Sequence, residues 1–120
     1  MPDCKIATAY GEITAEKLSF DGTIEKKANV AMLDSDTLKL PLTLRNIATG
    51  DRFRPYGMRG SKLVSDYLTD RKKSLPEKRR QLAVTDAEGT IVWLVGERIA
   101  APFAIGKGTA HIIRLTWKPA

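Results

Sequence analysis

The sequence predicts an α+β domain, and three observations carry that prediction. Strand-like segments fill the first and last thirds of the chain, and a pair of helical segments is confined to the middle. The hydrophobic repeat also changes, from a period of two to a helical spacing of three and four, where the first helix begins. At 120 residues the chain is long enough for one core and too short for two, so residues 1–120 are read as a single domain. The expected architecture is a sheet or β-sandwich covered on one side by the helical pair.

The elements are taken in chain order. Residues 5–10 (KIATAY) and 29–34 (NVAMLD) read as short strands, separated by the turn signal Asp21-Gly22. Residues 37–45 show the cleanest alternation. Leu38, Leu40, Leu42 and Leu44 fall on one face of that strand, and Lys39, Pro41, Thr43 and Arg45 on the other. Pro41 has no amide N–H to give to a ladder, which places the strand at a sheet edge. Residues 46–60 have no regular period but contain Gly50, Gly57, Gly60 and Pro55, the composition of a structured loop.

Ser61 is the expected N-cap of the first helix. Leu63, Val64, Tyr67 and Leu68 form its apolar stripe, with Lys62, Ser65, Asp66, Thr69 and Asp70 on the other side. Arg71, Lys72 and Lys73 stand at its C-terminal end, where the macrodipole favours cations. Ser74-Leu75-Pro76 opens a second short helix that reaches about Gln81. Residues 82–86 and 90–96 flank Ala87-Glu88-Gly89 as a hairpin with glycine at the left-handed position. The run Ile91-Val92-Trp93-Leu94-Val95 is apolar on both faces and is expected at the centre of a sheet, covered on both sides. Residues 111–117 (HIIRLTW) form the closing strand.

Composition excludes several classes. No apolar run approaches the roughly 20 residues that cross a bilayer, and the first ten residues lack the basic-then-apolar layout of a secretory signal. A cytoplasmic protein with no membrane partner is expected. Cys4 is the only cysteine and His111 the only histidine, so neither a disulfide framework nor a zinc site of ordinary ligand spacing is available. His111 alternates with Ile113, Leu115 and Trp117 and reads as a packed strand residue, not a general base. Two glycine-lysine pieces imitate nucleotide loops. Residues 101–109 (APFAIGKGT) put Gly108 where a P-loop needs a magnesium-binding hydroxyl, and Gly57–Lys62 follows a loop instead of a strand. Both read as turns, so no catalytic, cofactor or metal residue is assigned in this chain.

Positive charge is concentrated in one block. Residues 45–80 hold eleven Lys and Arg against Asp51, Asp66, Asp70 and Glu77, a net of +7 when the whole chain is +6. Within it Arg52, Arg54 and Arg59 sit in the glycine-rich loop with Phe53 and Tyr56 interleaved, a pattern in which arginine forks onto phosphate and an aromatic offers a stacking face. The runs Arg71-Lys72-Lys73 and Lys78-Arg79-Arg80 also read as solvated helix ends. Residues alone leave RNA and a protein partner both open.

The order GDRFRPYGMRGSKLVSDYLTDRK, a short Arg-containing helix, then the hairpin TDAEGTIVWLVGERI resembles the C-terminal domain of bacterial tRNA(Ile)-lysidine synthetases, most of all the Bacteroidetes type. The resemblance runs from about residue 40 to 117 and is most specific over residues 50–73 and 91–99; residues 1–36 match weakly and are assigned only as a β segment, leaving 37–120 as the family-like core. It implies a fold shared with a domain of the phenylalanyl-tRNA synthetase β-subunit, a β-sandwich of unusual topology with flanking helices. It implies tRNA(Ile) as partner, contacted near the acceptor stem, and the protein's own N-terminal catalytic domain as a second partner. In that family the N-terminal PP-loop domain, with a Ser-Gly-Gly-x-Asp-Ser signature, uses ATP and magnesium to join lysine to the wobble cytidine. No such signature occurs in this chain, so it is expected to be a tRNA-recognition module without activity of its own.

Arg52, Phe53, Arg54, Pro55, Gly57, Gly60, Lys62, Asp66, Arg71 and Lys72 occupy the family motif. The expected phosphate-contacting set is Arg52, Arg54, Arg59, Lys62, Arg71, Lys72, Lys73, Arg79 and Arg80, with Asp66 and Asp70 pairing to nearby arginines. The alternative is a protein-interaction module that forms a homodimer or braces the catalytic domain.

Overall fold

The computed structural model describes residues 4–119 as two antiparallel sheets around a shared core, with a two-stranded ribbon and a helical pair between them in the chain. Strands β1 (Cys4–Thr8), β2 (Gly11–Ser19) and β3 (Val30–Asp34) open the chain, and a 3-10 turn at Ser35–Thr37 leads to β4 (Thr43–Asn46). The ribbon β5 (Arg52–Phe53) and β6 (Lys62–Leu63) precedes helices α1 (Val64–Asp70) and α2 (Leu75–Arg80). The hairpin β7 (Leu82–Thr85) and β8 (Ile91–Leu94) and the long strand β9 (His111–Pro119) complete it. One sheet has the order β1-β2-β9-β3 and the other β4-β7-β8. The last strand thus inserts between the second and third, pairing Ile13 with Trp117 and Leu33 with Ile113.

Strand β2 was not foreseen. Its inward positions are Gly11, Ile13 and Ala15, two of them too small to give a hydrophobic signal, while Glu12, Thr14 and Glu16 face outward. Gly11 is required by close approach: a Cβ there would lie 2.4 Å from the Lys118 carbonyl oxygen and 2.8 Å from the Trp117 ring. The strand expected over residues 37–45 is shorter than its alternation suggested. Asp34 caps the 3-10 turn through its side chain, the Leu40–Pro41 peptide is cis, and pairing starts only at Thr43, beyond the proline that cannot donate. Leu38 is buried, but Leu40 is 45% exposed.

The hairpin forms as expected. The buried Asp86 accepts from the Glu88 and Thr90 amides through Oδ1, and Gly89 has φ +84°, the left-handed conformation. All five residues of the 91–95 run are buried, with Trp93 at 0% exposure. Their sheet position needs correction: β7 is the central strand, and β8 lies at the end of the ladder. Its outer edge is covered by residues 98–100, through Leu94 N–H to Arg98 O (3.1 Å) and Ala100 N–H to Val92 O (2.9 Å). A buried strand at the end of a ladder reads from sequence like a central one, because composition reports burial and not the number of paired neighbours. His111 is exposed at the start of β9 and does not pack with the alternating apolar face.

Candidate nucleic-acid interface

The stretch from Asp51 to Pro55 is extended, with Phe53 and Pro55 buried and Arg52 and Arg54 exposed. Phe53 packs edge-on against Tyr67 of α1, with ring centroids 5.3 Å apart at 82°, so it is a core residue and offers no stacking face. The block is anchored below by Arg45, whose guanidinium grips Asp51 through Nη1 (2.8 Å) and Nη2 (3.1 Å) while the Ala48 amide also donates to Asp51 (2.7 Å). These hydrogen bonds, Arg45 first, hold the Asp51 carboxyl below the usual aspartate range against its partial burial.

Ser61 does not cap α1. Its Oγ accepts from Arg52 Nε (3.1 Å), and the helix starts two residues after Lys62 enters the ribbon, with Leu63 in the N-cap position and no side-chain cap. The pairing of β5 with β6 moves the start, because Leu63 and Lys62 are held extended opposite Arg52 and Phe53. Val64, Tyr67 and Leu68 are the buried stripe of α1, as expected. Its end is a Schellman turn: the Lys72 amide donates to Thr69 O (2.9 Å) and the Lys73 amide to Leu68 O (3.0 Å). Lys72 takes φ +59° there, the only non-glycine residue with positive φ among those described. Helix α2 begins with a full capping box between Ser74 and Glu77 and buries no residue.

Glu97, from the turn after β8, organises the end of α1. Its side chain is only 6% exposed and accepts from Arg71 Nε (2.9 Å) and Tyr67 OH (3.3 Å), with Lys73 Nζ at 3.5 Å. Burial, then the Glu97 charge, pushes the Tyr67 hydroxyl above its ordinary pKa.

The nine residues expected to face phosphate therefore divide. Lys62 pairs with Asp70, Arg71 with Glu97, and Lys73 with Glu97 and, at 3.9 Å, Glu77. Arg52 is hydrogen-bonded to Ser61 yet remains exposed. Arg54, Arg59, Lys72, Arg79 and Arg80 are exposed and make no ion pair within 4 Å among the described residues. Asp70 finds a lysine and not an arginine; Asp66 has no ion-pair partner among the described residues. An open groove of about 210 Å³ joins the Gly50 turn to Ser65, Lys78 and Arg79, while Lys73 and Arg80 line a second, of about 220 Å³, beside Trp117.

Two neighbours were missed. Arg98 donates Nη1 to the Tyr56 carbonyl (3.0 Å), which brings a residue from the far side of the hairpin to the loop; no local pattern spans that separation. Lys78 donates to Thr69 Oγ1 (2.6 Å), tying α2 to α1. Among the described residues no three His, Cys, Asp or Glu side chains are grouped as a metal ligand set, and no helix is long and apolar enough to cross a membrane. The glycines of both glycine-lysine pieces lie in turns and loops, with Lys62 already in β6; in residues 101–109, Thr109 Oγ1 donates to Asp34 Oδ2 (3.0 Å) and accepts from the Gly106 amide (2.9 Å).

The chain is 42% identical over 104 residues to the tRNA(Ile)-lysidine synthase of Parabacteroides distasonis, a match covering 85% of this chain and 24% of that protein. The tRNA(Ile)-lysidine synthase of Bacteroides thetaiotaomicron is 41% identical over 93 residues, covering 78% of this chain and 22% of that protein. Among solved structures, a TilS C-terminal domain superposes with a TM-score of 0.83 at 26% identity, covering 97% of this chain and 90% of that one. An N-terminal fragment of the phenylalanyl-tRNA synthetase β-subunit from Pyrococcus horikoshii superposes at 0.61 over 73% of this chain and 27% of that one; at 17% identity it shows a shared fold alone. No family model matches the chain. The resemblance read from residues 50–73 and 91–99 is borne out in sequence and in fold, and so is the α+β sandwich it implied. The chain spans about a quarter of the length of these curated relatives.

Proposed function

We infer that this chain is the tRNA-recognition module of a tRNA(Ile)-lysidine synthase, a ligase that works on tRNA in the cytoplasm. Its task is to hold isoleucine tRNA on the acceptor-stem side while a separate PP-loop domain, using ATP and magnesium, joins lysine to the wobble cytidine. The observation that supports this best is the division of the basic block. The fold neutralises Arg45, Lys62, Arg71 and Lys73 with its own carboxylates, whereas Arg54, Arg59, Lys72, Arg79 and Arg80 lie exposed with no ion-pair partner among the described residues. Unpaired arginines on a glycine-rich loop suit phosphate oxygens, which accept two parallel N–H bonds from one guanidinium. With Arg52 added, the block offers six cations to a polyanion. In this reading the chain contributes binding and orientation, and the chemistry belongs to the PP-loop domain.

Binding of the chain to isoleucine tRNA across a range of salt tests this directly. Each phosphate neutralised contributes about −0.7 to −0.9 to the log–log slope, so five or six contacts give a slope between about −3.5 and −5.4. A flat salt dependence would reject the reading and favour a bracing or dimerising role.

A further inference from the structure

Residues 52–56 alternate between core and solvent. Phe53 and Pro55 are buried, and Arg52, Arg54 and Tyr56 are exposed, so an aromatic ring follows two arginines along the solvent-facing positions. Tyr56 is 54% exposed, with Met58 and Arg59 exposed just beyond it. The backbone that carries the ring is held at several points. The Tyr56 amide donates to Ile99 O (2.9 Å), the Ala101 amide to Arg54 O (2.7 Å), and Arg98 Nη1 to Tyr56 O (3.0 Å), while Pro55 bridges Ala100. Gly57, with φ +83°, then turns the chain away in a conformation closed to most side chains. A large ring held in water on a fixed backbone loses little freedom when it binds. Residues 52–61 contain Arg52, Arg54 and Arg59 and no acidic residue, and Arg98 adds a fourth cation, while Lys62 just beyond is paired with Asp70.

We propose that Tyr56 is a base-stacking residue: its ring takes the face of a nucleobase, either an unpaired nucleotide or the exposed end of a duplex, while Arg54 and Arg59 hold the flanking phosphates. The proposal rests on the RNA reading of the block and adds a contact that carries no charge. Every nucleobase has a π-face, so the contact is sequence-tolerant and is read by ring geometry. Tyrosine, methionine and arginine also mark protein interfaces, but an acid-free loop of this cation density matches a polyanion better than a mixed protein surface.

Two RNA hairpins, one blunt and one with a single-stranded 3′ tail, are titrated against the chain and its variants at several salt concentrations. Tyr56→Ala is expected to weaken binding by roughly 5- to 150-fold, the loss of one aromatic stack, with the salt slope unchanged because no charge is removed. Tyr56→Phe keeps the ring and is expected to bind like the wild type, and both variants should melt like it. A loss confined to the tailed hairpin assigns the ring to an unpaired base of the tail; an equal loss on both assigns it to an element the two share, the stem end or the loop. Wild-type affinity in Tyr56→Ala overturns the stacking contact and leaves the phosphate contacts standing. If the wild-type chain binds neither hairpin in a salt-dependent way, the RNA reading itself fails and the stack with it. If Tyr56→Ala leaves RNA binding intact but abolishes self-association in ultracentrifugation, the ring serves a second copy of the chain, and the RNA assignment is overturned.

Discussion

On the four-stranded sheet Arg114 lies between two carboxylates, Glu16 at 2.9 Å and Glu25 at 2.8 Å, whereas in the 52–60 loop Arg54 and Arg59 have no carboxylate within ion-pair distance among the described residues. The residue type is the same, and the surroundings decide its role. Arg114 fastens the 20–29 segment to the outer face of the sheet, and hydrogen bonding to Glu16, before all other causes, raises its pKa further above the ordinary arginine value. Arg54 and Arg59 fasten no segment through an ion pair among the described residues. A cation becomes a candidate for a ligand only after the fold's own acids have been assigned, and here that assignment removes Lys62, Arg71 and Lys73 from the freely available set. Those three still contribute to the local potential, but their geometry is set by the protein.

Removing the core that both regions share should have the largest effect. Trp93 is fully buried in β8, among residues packed from both sheets. Trp93→Ala should cost about 3–5 kcal/mol, a large part of the roughly 5–15 kcal/mol that holds a domain of this size. Urea denaturation should show the midpoint falling steeply or the transition lost. A variant that melts like the parent would mean that the strand is not packed as described.

A smaller change separates the charges that hold the fold from those that do not. Asp51 accepts three hydrogen bonds, two from Arg45 and one from the Ala48 amide, so Asp51→Asn should cost about 1–2 kcal/mol at neutral pH. The sign with pH follows from the depressed pKa. The folded protein binds this proton less readily than the unfolded chain, so the stabilisation is complete above the ordinary aspartate range. It is lost as pH falls below about 4 and through the lower folded value. Thermal melts should show wild type and variant well apart at pH 7 and converging in acid. A gap that stays constant with pH would show that the ionised carboxylate is not what matters.

How far these two regions were legible in the sequence differs for physical reasons. The helical pair and the hairpin could be read because their signals are local: the spacing of Val64, Tyr67 and Leu68, the opening Ser74-Leu75-Pro76, and glycine at residue 89. The insertion of β9 between β2 and β3 could not, since no local period encodes which strand pairs across nearly the whole chain. The composition of the basic block was plain, but its division into paired and unpaired cations was hidden. Glu97 lies well outside the block and becomes the partner of Arg71 and Lys73 only when the β8 turn folds against α1. The period-two alternation of residues 52–56 was masked by its short length and by flanking glycines, so Phe53 was read as a stacking face when it belongs to the core.

Lys72 gives the finest test, because it combines backbone strain with an unpaired charge. It occupies the left-handed position of the Schellman turn, which is usually glycine, with φ +59° and an exposed side chain. A non-glycine residue in that conformation costs about 1–2 kcal/mol, part of which a glycine returns as extra freedom in the unfolded chain. Lys72→Gly should therefore stabilise the domain by a net of about 0.5–1 kcal/mol and raise its melting temperature by a few degrees. Lys72→Ala keeps the strain and should melt almost like the wild type. On tRNA the two variants should behave alike: each loses one cation, and the log–log salt slope should become shallower by just under one unit. A more stable protein that binds RNA less tightly separates the two roles at a single residue. If Lys72→Gly gains stability and keeps both affinity and slope, the lysine does not contact phosphate. The unpaired set then contracts to the loop arginines and the end of α2.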